Sequence, residues 1–227
     1  MAYRSISDSE EPPRRYRSEL RRQQAEQTRH AVVAAAAALF AENGYAGTTL
    51  AKIAAEAGVS VETVQTHGPK AALMIAAVEY SAFGRSGDRN ILDGDVGDRL
   101  AQIDDPQEAA EFIVTLQADL HRRSARTARA LFSGAASDPT LDRYLEELLD
   151  GIKRQVRRIL VVFRERGWLR EDVPFDEVVE TAALLADVET YLKIVDRSRW
   201  SEQAYRKWLR RMLAETIMNP AGVRSRR

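Results

Sequence analysis

Residues 44–73 of the chain read GYAGTTLAKIAAEAGVSVETVQTHGPKAAL. Thr48 or Thr49 is suited to cap a short helix, LAKIAAEA, and Gly58 supplies a turn that needs a positive φ. Ser60 can then cap a second short helix, VETVQTH. Two short helices joined by so tight a turn predict a helix-turn-helix.

The packing of this segment meets the demands of that motif. Ala54 is small where the two helices must cross closely, and Ile53, Val59 and Val64 can fill the core between them. The second helix is left with outward polar side chains that suit base edges and phosphates. Together with the cap residues and a lysine at the next helix start, the candidate DNA contacts are Thr48, Thr49, Ser60, Val61, Glu62, Thr63, Gln65, Thr66, His67 and Lys70.

Helical periodicity continues on both sides, so the sequence predicts an all-α protein of about nine helices. One helix is expected from about Arg21 to Asn43 and Gly44, and another from Lys70 to Phe83. A loop rich in glycine and aspartate should occupy residues 84–98. Five later helices are expected to begin near Pro106, Thr127, Pro139, Pro174 and Ser201.

Charge and composition narrow the possible partners. Lys+Arg and Asp+Glu both number 34, so net charge does not indicate nucleic acid, but six arginines stand among residues 14–30. The absence of cysteine excludes disulfides and thiolate chemistry. No apolar run is long enough to span a bilayer, and no secretory signal is visible, so a cytoplasmic protein without a membrane partner is expected.

Signatures of catalysis are missing from the sequence. His30, His67 and His121 show no metal-ligand spacing, and there is no nucleophile elbow, P-loop or dinucleotide-binding motif. We therefore expect no catalytic residue, no metal and no cofactor. A helical protein-interaction module with a degenerate DNA reader is the alternative, because similar corners occur in helical proteins that do not bind DNA.

The stretch from about Arg21 to Leu73 resembles the N-terminal DNA-binding domain of the TetR family of transcriptional regulators. The end of the chain, SRWSEQAYRKWLRRML, is similar to the final segment of an actinobacterial-type subgroup. The matching N-terminal residues are Phe40, Gly44, Tyr45, Thr48, Thr49, Leu50, Ile53, Ala54, Ala57, Gly58, Val59, Ser60, Thr63, Lys70 and Leu73.

This resemblance implies a dimeric regulator, usually a repressor, that binds a pseudo-palindromic operator in double-stranded DNA and responds to a small-molecule ligand. The chain then divides into a disordered basic arm (1–20), a helix-turn-helix domain (21–68), a helical ligand-binding and dimerisation domain (69–219) and a basic tail (220–227). Candidate pocket residues are Phe83, Phe112, Leu116, Leu120, Phe132, Tyr144 and Phe163. A homodimer interface on the last two helices would use Leu184, Leu185, Val188, Tyr191, Leu192, Trp208, Leu209 and Met212.

Polar residues within the apolar helices are expected to be exposed or hydrogen-bonded within the protein rather than to contact a ligand: Thr115, Gln117, His121 and Asp187.

The second helix of the motif departs from the family's pattern. Gln65 stands where the family typically has tyrosine, and His67 and Gly68 stand where a tyrosine–phenylalanine pair is usual. The stretch from Gln65 to Lys70 is one residue shorter than usual, and Glu62 places a negative charge near the DNA. We expect altered contacts at a loosened corner, and an operator unlike those of relatives.

Overall fold

The structure is a computed structural model that describes residues 14–83 and 94–219, with side chains from residue 21 to 82 and from 94 to 219. This part of the chain is all-α, as predicted, apart from one isolated bridge between Leu169 and Met218. A π-helical segment, Leu192–Arg197, follows α9. The α-helices are α1 (Arg14–Gly47), α2 (Leu50–Ala57), α3 (Val61–Thr66), α4 (Lys70–Phe83), α5 (Asp95–Ala101), α6 (Pro106–Ala135), α7 (Pro139–Glu165), α8 (Phe175–Ala186), α9 (Val188–Tyr191) and α10 (Glu202–Thr216).

The helix-turn-helix forms where the sequence predicts it, and its caps are the expected ones. The Thr49 side chain accepts a hydrogen bond from the backbone N–H of Lys52 at the start of α2. Gly58 ends α2 with φ 66°, in the left-handed region. Ser60 accepts from the N–H of Thr63 and begins α3.

Helix α1 is longer than predicted at its N-terminus. It begins at Arg14, so residues 14–20 of the predicted disordered arm are helical, and residues 1–13 lie outside the described part. Gly44, at the predicted helix end, has φ 70°, and one further helical turn leads to Gly47. Nothing in residues 14–20 stops a helix, because Pro12 and Pro13 precede them and strong helix formers follow.

Two hydrophobic cores organise the part of the chain that the structure describes. The reader-side core joins α1–α4 to the C-terminal end of α6 and the start of α7. Alanines dominate it, with Phe40, Leu131 and Leu141 as its larger members. Small side chains let these helices approach closely, and Ile53 and Val64 are fully buried as predicted.

The distal core is built from α5, the N-terminal half of α6, the C-terminal half of α7 and the helices from α8 onward. Phe163, Tyr191 and Tyr205 are buried in it. Both α6 and α7 therefore contribute to both cores, so the predicted boundary between residues 68 and 69 separates helices but does not separate cores.

Two predictions about α5 and α6 were wrong. Residues 95–101, mostly inside the predicted loop, form α5, because Asp95 and Asp98 suit a helix N-terminus and Leu100 is buried. The two helices predicted from Pro106 and Thr127 are one 30-residue helix, α6. No proline interrupts it, and the small residues of its middle section pack inward. Residues 84–93 lie outside the described part.

The helix predicted to continue from Pro174 is broken at Asp187, which has an extended backbone (φ −72°, ψ 129°). The Asp187 carboxylate accepts from the N–H of Glu189 and caps α9. Two side chains of α6 satisfy carbonyl groups at the end of α8: Gln117 donates to Leu185 and His121 lies 3.0 Å from the oxygen of Ala186. The break therefore depends on residues distant in sequence.

No helix in the part of the chain that the structure describes is both long and apolar enough to cross a membrane.

Candidate nucleic-acid interface and effector region

The outward face of α3 carries the exposed polar side chains that a DNA reader needs. Glu62, Gln65 and Thr66 are exposed, whereas Val64 points into the reader-side core. The Thr66 hydroxyl donates to the carbonyl of Thr63 at 2.7 Å, which leaves its methyl group and an oxygen lone pair outward. Gln65 offers both a donor and an acceptor, the combination that recognises adenine.

Capping interactions hold the first turn of α3. The Ser60 and Thr63 hydroxyls lie 3.1 Å apart, and Ser60 also accepts from the Thr63 N–H. Hydrogen bonds from its own backbone N–H and from the Ser60 side chain lower the pKa of Glu62. Glu62 is therefore charged at neutral pH and lies next to the surface that would face DNA. Val61 is partly buried against the reader-side core, so only part of it faces outward.

One predicted DNA contact, Thr48, is not available on the surface, and a second, His67, is only partly exposed. Thr48 is fully buried and its hydroxyl donates within the chain, to the carbonyl oxygens of Leu39 and Gly44. It closes the α1–α2 connection, and Thr49 is the exposed cap. His67 is half-buried, and its Nε2 atom is enclosed without a hydrogen-bond partner among the described residues.

The corner after α3 is closed by Gly68, which has φ 114°. A Cβ atom at this position would lie 3.0 Å from the Cβ of Ala72. Both the positive φ and the lack of space therefore favour glycine. The N–H of Gly68 donates to the carbonyl of Gln65 at 3.0 Å. These contacts close the corner between α3 and α4.

Lys70 begins α4 as predicted, but its side chain is engaged within the protein. Its Nζ lies 4.3 Å from the centroid of the Tyr45 ring. Desolvation lowers the pKa of Lys70, and nearby Asp138 opposes this effect. A phosphate at this position would therefore meet a lysine that an aromatic ring already orients.

Tyr45 and Asp138 form a contact that the sequence did not reveal. The Tyr45 hydroxyl donates to Asp138 Oδ2 at 2.7 Å, across 93 residues of sequence, and Asp138 also caps α7. Burial raises the pKa of Tyr45, and the hydrogen bond from Tyr45 lowers that of Asp138. The aspartate before Pro139 was readable as a helix cap, but nothing in the sequence signals its distant partner. This contact links the last turn of α1, directly before the helix-turn-helix, to the start of α7.

The candidate pocket residues do not gather around one cavity. Phe112 and Phe163 pack with the distal core and Tyr144 with the reader-side core. The remaining described members, Leu116, Leu120 and Phe132, are half-buried on α6. The Phe83 side chain lies outside the described residues.

A cavity of about 140 Å³ lies between the end of α7 and the start of α8, where no pocket was predicted. Leu169, Val173 and Phe175 provide its apolar wall, and Arg164 and Arg170 lie at its polar side. Arg164 is 4.1 Å from the Phe175 ring centroid, and Arg170 is paired with Asp172. It is too small for a ligand of ordinary drug size.

The predicted dimer residues divide into buried and accessible sets. Leu209 is fully buried and Tyr191 nearly so, both in the distal core, so the expectation that they form an interface was wrong. Leu209 faces inward because α10 packs on α6 and α8, and Tyr191 faces inward because α9 packs on α6. Leu184 is exposed, and the others are partly buried: Leu185, Val188, Leu192, Trp208 and Met212.

His121 lies at the centre of a buried polar cluster, as a residue satisfied within the protein. The Ala186 carbonyl can only accept, so Nε2 carries the proton and Nδ1 accepts from the Tyr205 hydroxyl at 3.2 Å. Burial lowers the pKa of His121 to about 4, although the Ala186 carbonyl and Asp187 act in the opposite direction. Burial also raises the pKa of Tyr205 to about 12. Both groups are neutral at neutral pH.

The capped helix-turn-helix and the exposed polar face of α3 are features that DNA-binding regulators share. The family model "Bacterial regulatory proteins, tetR family" matches residues 32–76, which cover the C-terminal part of α1, all of α2 and α3 and the first half of α4. The match spans 45 of the 227 residues, so it relates the helix-turn-helix of this chain, and not the larger helical part, to that family.

Solved structures share the fold over most of the chain. A putative transcriptional regulator from Saccharomonospora viridis, in complex with choline, has a TM-score of 0.66 at 20% identity and covers 86% of this chain and 98% of its own. SmeT in complex with triclosan has the same TM-score and identity, covering 86% and 93%. A gamma-butyrolactone receptor (ArpA-like protein) has a TM-score of 0.61 at 23% identity, covering 89% and 94%. No curated protein matches the chain by sequence.

Proposed function

We propose that the protein is a homodimeric repressor that binds a pseudo-palindromic operator through α3 and leaves it when a small molecule binds the larger helical part. The observation that carries this proposal is the exposed polar face of α3, Glu62, Gln65 and Thr66, on a motif whose opposite face is fully packed. A rigid support of this kind is what base recognition requires, because misplaced side chains lose bidentate hydrogen bonds.

Within this proposal the reader residues have separate roles. Gln65 and Thr66 read base edges, while Thr49 and Lys70 hold phosphates at the N-termini of α2 and α4. Glu62 accepts from cytosine or repels phosphates that approach off-register. Thr48 supports the motif from inside, since its hydroxyl is used by Leu39 and Gly44.

The proposed ligand is a small organic molecule. Choline and triclosan are bound to two proteins of this fold, and a third is named as a gamma-butyrolactone receptor. Leu116, Leu120 and Phe132 remain the candidate contacts, because they are half-buried on α6 and supply apolar surface. The disordered basic arm was predicted over residues 1–20, and it stays a prediction only for residues 1–13, which lie outside the described part. The basic tail (220–227), the domain limits and the cytoplasmic location also stay predictions.

The operator can be selected from random duplex DNA by repeated binding and sequencing. We expect an enriched inverted repeat whose affinity exceeds that of random duplex by at least about 10³-fold at 0.15 M salt. Gln65→Ala should relax the preferred base at one position of each half-site, and Lys70→Ala should weaken binding to all sequences and reduce the salt slope by about one per half-site.

Lys207→Ala is the matched control, because Lys207 is exposed on α10, far from α3 in sequence, and should leave both properties unchanged. A selection that enriches no sequence, together with equal affinity for all duplexes, would refute the operator and favour the interaction-module alternative.

A further inference from the structure

The cavity between the end of α7 and the start of α8 combines an apolar wall with charged side chains. Its volume is about 140 Å³. Leu169, Val173 and Phe175 provide the apolar wall, and the exposed residues Arg164 and Glu171 also line the cavity. An apolar protein cavity of about 150 Å³ takes up a molecule of the size of benzene. This cavity therefore has room for the apolar part of a small ligand, with charged groups beside it.

Arg164 is oriented by the cavity wall. Its Cζ atom lies 4.1 Å from the centroid of the Phe175 ring, within the range of a cation–π contact. An arginine that stacks on an aromatic ring keeps the N–H groups at the edge of its guanidinium plane for hydrogen bonds. Among the residues that the structure describes, no carboxylate pairs with Arg164. Its guanidinium is therefore a positioned cation, and its parallel N–H groups match the geometry of a carboxylate.

The second arginine of the cavity, Arg170, is used within the chain. Its Nε and Nη2 atoms donate to the two carboxylate oxygens of Asp172 at 2.7 and 2.6 Å. Its Nη1 atom donates to the carbonyl oxygen of Glu215 at 3.1 Å. These bonds make Arg170 part of the frame of the cavity and neutralise its charge, so Arg164 is the cation that remains for a ligand.

Glu171 adds the opposite charge to the cavity. Like Arg164, it forms no ion pair within the described part of the chain, so the two residues line one cavity without pairing with each other. A ligand with a carboxylate alone would be attracted by Arg164 and repelled by Glu171, and a ligand with an ammonium group alone would meet the reverse. A zwitterion satisfies both charges at once, and an apolar side chain on it covers the apolar wall.

We propose that this cavity binds a small zwitterion with an apolar side chain, the chemical class of the aliphatic α-amino acids. The ligand carboxylate pairs with Arg164, and its ammonium group pairs with Glu171. The apolar side chain packs against Leu169, Val173 and Phe175. This site is separate from the candidate contacts of the regulatory ligand, which lie on α6, so it goes beyond the proposed function.

Amide NMR spectra of the full-length protein, titrated with L-leucine, test the site. We expect saturable shifts that concentrate on residues 164–175. Glycine keeps both charges but lacks the side chain, whereas 4-methylpentanoate and 3-methylbutylamine each keep the side chain with a single charge. All three should bind at least about tenfold more weakly than L-leucine, because each loses either the buried apolar area or a hydrogen-bonded charge pair.

Variants of the two charged residues locate the contacts. Arg164→Gln and Glu171→Gln should each weaken the binding of L-leucine at least about tenfold. The matched controls are Arg158→Gln and Glu165→Gln, because both residues are exposed on α7 and neither lines the cavity. These controls should bind L-leucine as the wild type does. All four substitutions change exposed residues, so their circular dichroism spectra should match that of the wild type.

A wild-type protein that shows no saturable binding of L-leucine at tens of millimolar overturns the inference. Equal binding of L-leucine and either singly charged analogue also overturns it, because the site would then recognise only one charge. So does binding that Arg164→Gln or Glu171→Gln leaves unchanged, or that a control variant weakens as much. None of these results bears on the proposed function, because operator selection with the same protein tests DNA binding separately.

Discussion

The reader-side core and the distal core solve the packing problem in different ways. Alanine is the commonest buried residue of the reader-side core, so its helices lie close together and their ends are set by local caps. The distal core buries Tyr191, Tyr205 and His121, whose polar atoms need partners. His121 finds one of its partners in the carbonyl of Ala186, and Gln117 donates to the carbonyl of Leu185. Both hydrogen bonds lie at the end of α8, where the helix breaks. Local capping signals therefore determine where the helices of the reader-side core end, and long-range hydrogen bonds determine where α8 ends in the distal core.

The largest expected effect tests whether the two cores unfold together. Phe40→Ala in the reader-side core and Phe163→Ala in the distal core should each lower the free energy of unfolding by about 3–5 kcal/mol. Trp168 and Trp208 pack against the distal core, and the backbone N–H of Trp200 donates to Ile194, which packs there too. The fluorescence of these three tryptophans therefore reports on the distal region.

Because α6 and α7 pass through both cores, Phe40→Ala should shift the urea midpoint measured by fluorescence as much as that measured by circular dichroism. A fluorescence midpoint that stays at the wild-type value would show that the cores unfold independently. Leu39 is the neighbouring residue and is only half-buried, so Leu39→Ala should lower the free energy of unfolding by less than Phe40→Ala does.

The free energy of unfolding should change with pH by about 3 kcal/mol through one residue of the distal region, His121. The pKa of His121 is about 4 in the folded protein and 6.5 as a free side chain, so the unfolded chain binds more protons between these values. Stability should therefore rise with pH across that window and be lost as pH falls through it.

The measurement is the free energy of unfolding in urea at several pH values for wild type and His121→Gln. Acidic residues titrate equally in both proteins, so the difference in slope isolates His121. Parallel curves from pH 4 to 6.5 would contradict a neutral, buried His121.

Close packing of the reader-side core predicts that it tolerates no added methyl group where α6 meets α1. A Cβ at Gly134 would lie 2.8 Å from Leu141 Cδ1 and 2.9 Å from Tyr45 Cγ. Gly134→Ala should destabilise the protein by about 1–3 kcal/mol. Gly47→Ala is the matched control, since its Cβ would meet Asn43 Cβ at an ordinary 3.4 Å. Equal thermal unfolding temperatures for the two variants would show that α6 moves aside freely.

The smallest expected effect concerns the link between the regions. Tyr45→Phe removes the hydrogen bond to Asp138 and should lower the free energy of unfolding by about 1 kcal/mol. A double-mutant cycle with Asp138→Asn, which can still cap α7, measures the coupling between the two side chains. A coupling energy within experimental error of zero would show that Tyr45 acts only through the packing of its ring.

Sequence reasoning succeeded where the determining residues are neighbours. Thr49, Gly58 and Ser60 fix α2 and α3 within a few positions, and the structure confirms all three. It failed where partners are far apart: the break at Asp187 needs His121, and Asp138 meets Tyr45 across 93 residues. Solvent exposure was also misjudged, since Thr48 and Leu209 have the right residue types for their predicted roles but are fully buried.

The passage of α6 and α7 through both cores has a consequence for protein engineering. Consider a hybrid protein that joins another protein's helix-turn-helix to the larger helical part of this chain, with the junction directly after α3. Here that junction would leave Leu131 and Leu141 facing an unfamiliar surface, because they belong to the reader's own core. A transplant of this reader should therefore carry α4 with it and match the receiving protein at Leu131, Gly134 and Leu141.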